Sequence, residues 1–165
     1  PPNHPNTQPP NHPTIQLFGV HLMPYFMLLP YEFARWRTVR ALLQLVAREA
    51  HEPHIICGDF NAATAGERAD TNVFSRNIQR QLWLQANRQP RFALSPITRA
   101  GYTDCFRRAH PTAAGLTWMP WALSARLDYI FASAQMAARL QSCAVITTPP
   151  AEQASDHFPL VADFR

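Results

Sequence analysis

A chain of 165 residues with 47% hydrophobic and 16% charged positions can build one sizeable core and is too short for two independent ones. No window approaches the ~18 apolar residues that a membrane-crossing helix requires, and neither a GxGxxG nor a GxxxxGK[ST] string is present, which sets nucleotide-binding motifs aside. All 15 basic residues are arginine against 11 acids, a formal charge of +4 that favours an anionic ligand without specifying one.

The chain opens Pro1-Pro2 with no initiator methionine, and we read it as a piece of something longer. PPNHP occurs at Pro1 to Pro5 and again at Pro9 to Pro13, so residues 1–14 are expected to form an extended linker or surface loop, and residues 15–165 the domain. IQLFGVHL, apolar on both faces, predicts a buried central strand ending near His21. After Pro30, Phe33, Trp36, Val39, Leu43, Val46 and Ala50 recur at helical spacing, with Arg37, Arg40, Gln44 and Arg48 opposite, which predicts an amphipathic helix on the sheet. A second buried strand follows Pro53 and stops at Gly58. Residues 62–99 read as irregular except for a helix over 74–83, and Thr103 as the N-cap of a short helix through Cys105 to Ala109. Strands are expected at 116–118, 127–132, 140–147 and 159–164, two of them pairing as a hairpin across Ser133 to Arg139. The economical architecture is a mixed or antiparallel sheet with helices on it. Cys57, Cys105 and Cys143 form no CxxC pair and read as small buried hydrophobes, which leans toward a reducing, cytoplasmic compartment.

Chemistry gathers at strand ends. His21 and Asp59 fall at carboxyl ends, whereas Asp128 and His157 fall at or just before amino ends. If the later strands run antiparallel to the earlier ones, all four side chains meet along one edge, together with Asn61 and Asp156. Taken singly, each run has a plain structural reading: GDFN as turn chemistry, His21 as a core histidine, Ser155-Asp156 as a cap, Asp128 as a partner for Arg126. Their coincidence favours a site.

The ordered series VHL, GDFNA, GYTDCFRRAHP, LTW, RLDYIFAS and SDHFPLVADF resembles the endonuclease/exonuclease/phosphatase superfamily, the metal-dependent phosphoesterases that include deoxyribonuclease I-like and exonuclease III-like enzymes. The resemblance implies an α/β four-layer sandwich, two mixed and mainly antiparallel sheets flanked by helices, with the active site at one edge. It further implies that Asp59 orients or deprotonates the attacking water, that Asn61 bonds phosphate or holds Asp59, and that Asp128 fixes His157. His21 would then contact the phosphate or assist the leaving group, and Asp156 would be a ligand to Mg²⁺ or Mn²⁺.

The family's upstream half, with an asparagine on the first strand and a glutamate as principal metal ligand, has no counterpart before Ile15, and Glu32 and Glu49 stand in the wrong order to replace that glutamate. The chain therefore reads as the C-terminal two-thirds of such an enzyme, expected to bind metal weakly and turn over poorly by itself. The alternative is a catalytically incomplete remnant that binds phosphorylated ligands or a partner. The substrate stays open between nucleic acid, for which Trp118 and Trp121 offer stacking surfaces, and a small phosphoester. No obligate protein partner is inferred.

Overall fold

The computed structural model describes residues 14–165 except 25–27, 51–52, 68, 71, 86–88, 119–121 and 123. The proline-rich repeat, with His4 and His12, and Trp121 lie outside the described residues.

Strand β1 (Gln16–His21) leads into helix α1 (Leu29–Glu49), which returns the chain to β2 (His54–Asp59). That crossover makes β1 and β2 parallel, in register from Gln16 opposite His54 to His21 opposite Asp59. After α2 (Arg76–Leu84) and α3 (Ser95–Arg99), the two-residue β3 (Thr103–Asp104) and α4 (Cys105–Ala109) precede β4 (Asp128–Ala132). Strand β4 inserts antiparallel between β2 and β3, giving the order β1-β2-β4-β3. A second sheet pairs β5 (Leu140–Val145) antiparallel with β6 (Leu160–Phe164), with α5 (Ala134–Ala137) before β5 and α6 (Ala151–Ala154) before β6. The mixed α/β plan of two sheets flanked by helices is the one the sequence implied.

Period-two alternation explains why β2 and β4 are apolar throughout. Ile56, Tyr129 and Phe131 face one core with Val39 and Val46 of α1, Phe60, and Ile97 of α3. Ile55, Cys57, Ile130 and Ala132 face the other, against Phe106, Met136, Cys143 and residues of β5 and β6. Cys105 and Cys143 are buried there as small hydrophobes, and burial pushes the Cys143 thiol up to about 11. Among the described residues, no helix is long and apolar enough to cross a membrane.

Several expectations need correction. Strand β1 lies at the sheet edge and is not central: its burial alternates, and Leu17 is 68% exposed. The apolar stripe of α1 packs on the core through Trp36, Val39, Leu43, Val46 and Ala50 as expected, except that Phe33 is exposed, and the buried face also takes in Glu32 and Arg35. Glu32 and Arg35 tolerate burial by pairing at 3.0 Å. The segment after β4 forms α5, so β4 and β5 do not make a hairpin and belong to different sheets. In place of the strand expected at 116–118, Trp118 forms isolated bridges to Ala125 and His157. The cap of α4 is Asp104 and not Thr103, its carboxylate accepting from the Arg107 N–H. Helix α3 was not foreseen; its five residues are too few to show a period.

Candidate active site

Three candidate residues form one row across three strands. His21, Asp59 and Asp128 are mutual register partners on β1, β2 and β4, because β4 runs opposite to the other two. The register brings these three residues to one edge, as expected if the later strand runs antiparallel to the earlier ones.

Gly58 makes this row possible. Its φ is +134°, and a Cβ there would collide with the backbone carbonyl of Val20 on β1. It serves close strand approach; the sharp turn comes three residues later, at Asn61, with φ +46°. Asn61 holds that conformation through three bonds: its backbone N–H donates to Asp59 Oδ1 at 2.8 Å, and its side-chain amide donates to Asp59 Oδ2 and to the Leu22 carbonyl, both at 2.9 Å. Phe60, fully buried between them, packs edge-on against Tyr129 and Phe131 and fixes the turn to the core.

His157 arrives on the segment before β6. Its backbone bridges Trp118, and the Phe158 N–H donates to the Thr117 carbonyl at 2.7 Å. The Thr117 hydroxyl accepts in turn from the Leu127 and Asp128 N–H groups at 3.1 and 3.3 Å. One buried threonine thus ties the start of β4 to the histidine segment. Nδ1 of His157 lies 2.7 Å from Asp128 Oδ2, its Nε2 lies 4.0 Å from Asp59 Oδ2, and His21 Nε2 lies 3.5 Å from the same oxygen.

These groups line a cavity of about 560 Å³ that also includes Asp156, Phe74, Ile78 and Trp118. His21 is mostly exposed to it, which removes the core-histidine reading. Asp156 is exposed at the rim, with Ser155 Oγ 3.3 Å from its carboxylate. Trp118 stacks on Phe74 with centroids 5.7 Å apart.

Burial raises the pKa of Asp59, with the Asp128 carboxylate adding to the effect and the Asn61 N–H opposing it. The hydrogen bond to Asp128 raises that of His157 against the opposing effect of burial. Donor atoms of Asp59, Asp128 and His157 lie within 4.8 Å of one another. Two half-buried carboxylates and an imidazole brought this close are a donor set that can take a divalent cation. Asp156 lies outside that group of three but on the same cavity.

Two buried arginines that the site reading passed over hold it in place. Arg35 donates from Nη1 to the Met23 and Pro24 carbonyls, both at 3.1 Å, bracing the chain just after His21. Arg126, expected as a partner for Asp128, instead forks onto Asp104 at 3.1 and 2.7 Å and reaches Glu67 at 2.7 Å. Arg107 adds a 2.6 Å bond to Glu67, so this network joins the segments after β2, at β3 and before β4. The spacing of Arg35 four residues before Val39, on the buried stripe, was the signal available for it.

The model of the Endonuclease/Exonuclease/phosphatase family matches residues 6–157. The chain belongs to that family. No curated protein sequence matches it. Among solved structures, this family member resembles an AP endonuclease from Archaeoglobus fulgidus at 22% identity and a TM-score of 0.67, covering 91% of this chain and 61% of that one. It also resembles a 3'-5' exonuclease from Neisseria meningitidis at 24% identity and a TM-score of 0.58, covering 90% and 60%. A Neisseria 3' phosphatase bound to a product DNA hairpin matches at 26% identity and a TM-score of 0.52, covering 82% and 52%. This family chain therefore spans less than two thirds of the length of each of these structures.

Proposed function

We propose that this chain carries most of the catalytic edge of a metal-dependent phosphodiester hydrolase of the nuclease type. The observation that supports this reading is the Asp128–His157 pair facing Asp59 across adjacent strand ends in one cavity.

A carboxylate only accepts hydrogen bonds, so the 2.7 Å contact puts a proton on Nδ1 of His157 and leaves Nε2 turned toward Asp59. With its pKa raised, the imidazole holds a second proton at Nε2 more readily and donates it to a phosphoryl oxygen. Asp59, oriented by Asn61 and made more basic by burial, positions a water and takes its proton. His21, on the open side of the same carboxylate, contacts the phosphate or the leaving oxygen. Asp156, on the same cavity, would contribute an oxygen ligand to Mg²⁺ or Mn²⁺, whose charge, when bound, stabilises the phosphoryl oxygens as negative charge builds on them.

The second reading is a remnant that binds phosphorylated ligands or a partner without turnover. Hydrolysis of bis-p-nitrophenyl phosphate with Mg²⁺ or Mn²⁺ separates the two. Turnover lost in Asp59→Ala and in His157→Ala supports the hydrolase; metal binding without turnover supports the remnant.

A further inference from the structure

Helix α2 walls two cavities. Ile78 lines the catalytic one, whereas Arg76, Arg80 and Trp83 line a second cavity of about 560 Å³ on the same helix. Leu82 is buried and anchors the helix beside Phe74 and Leu127. The spacing of four and then three residues puts Arg76, Arg80 and Trp83 on one stripe.

This second surface has an unusual composition. Among the described residues its lining carries two guanidiniums and no carboxylate, and Arg76 and Arg80 take part in no ion pair. Trp83 is 69% exposed, a large apolar face left in water. Cations that track phosphates beside an aromatic surface that accepts any base are the means by which proteins hold single-stranded nucleic acid. Arg76, Arg80 and Trp83 do not line the catalytic cavity, so this wall is separate from the one that would hold the scissile phosphate.

We propose that the groove along α2 is a second subsite that takes the single nucleic-acid strand flanking the scissile phosphate, with Arg76 and Arg80 on backbone phosphates and Trp83 stacked on a base. The proposal rests on the phosphodiesterase reading of the neighbouring cavity.

The test is fluorescence anisotropy of a labelled oligothymidylate of about ten nucleotides, measured in EDTA so that no cleavage occurs. Trp83→Ala is expected to weaken binding about tenfold, and Trp83→Phe to recover most of it. The double variant Arg76→Gln/Arg80→Gln is expected to flatten the plot of log affinity against log salt by about 1.4, two phosphate contacts fewer. All three variants should hydrolyse bis-p-nitrophenyl phosphate as the parent does. A parent that does not bind the oligonucleotide, or variants that bind it as the parent does, would overturn the subsite. Absent bis-p-nitrophenyl phosphate turnover in the parent would instead count against the hydrolase reading, which keeps the two failures apart.

Discussion

Nδ1 of His157 lies 2.7 Å from Oδ2 of Asp128, and the two side chains come from segments 29 residues apart that meet through Thr117. This bond is the largest cause of the raised His157 pKa.

Asp128→Asn should therefore bring the His157 pKa back toward its ordinary value of 6.5, because the amide supplies no charge to hold the imidazolium. NMR titration of the ring protons reads this directly, and an unchanged titration would refute the assigned partner. Since the folded pKa lies above the unfolded one, the pair stabilises the fold fully below the unfolded pKa. That stability is lost as pH rises through the folded pKa, and the variant should not show this loss. Phosphodiester hydrolysis, where present, should fall by about a hundredfold or more.

Arg126→Leu takes the guanidinium fork from Asp104, which is 13% exposed, and leaves Glu67, which is 9% exposed, with Arg107 alone. Removing one member of a buried ion network costs about 3–5 kcal/mol, so the urea midpoint should drop steeply. A variant within about 1 kcal/mol of the parent would mean that water reaches the two acids.

Acid should weaken the fold through Glu67. Burial pushes its carboxyl up, but hydrogen bonds and charge from Arg126 and Arg107 prevail and hold it below the ordinary 4.5. A depressed folded pKa gives stability that is present above the unfolded value and lost as pH falls through the folded one. Urea midpoints measured downward from pH ~6 should decline more steeply for the parent than for Glu67→Gln. Parallel curves would be evidence against this linkage.

Gly58→Ala should destabilise the protein by more than about 1 kcal/mol, since the residue has positive φ and the new methyl meets the Val20 carbonyl. The relief available is to part β1 from β2, which would also separate His21 from Asp59. Slower hydrolysis together with a lower thermal midpoint is expected, and an unaltered midpoint would show that the strands adjust without cost.

The sequence by itself determined the elements with strong periods and the polar residues at their ends. Long α1, the doubly apolar β2 and β4, and the GDFN, RLDY and SDH runs were legible because alternation, helical spacing and local turn chemistry are properties of neighbouring residues. Direction of the strands could be argued from where His21, Asp59, Asp128 and His157 fell, and the register bears that geometry out for the first three. What only the tertiary structure decided were relationships between distant segments: that β1 is an edge, that β5 pairs with β6, and that Arg126 belongs to Asp104 and Glu67. A charged residue carries no mark of its partner, and an apolar strand carries no mark of which neighbour covers it; both choices are made by desolvation and packing once the chain has closed on itself.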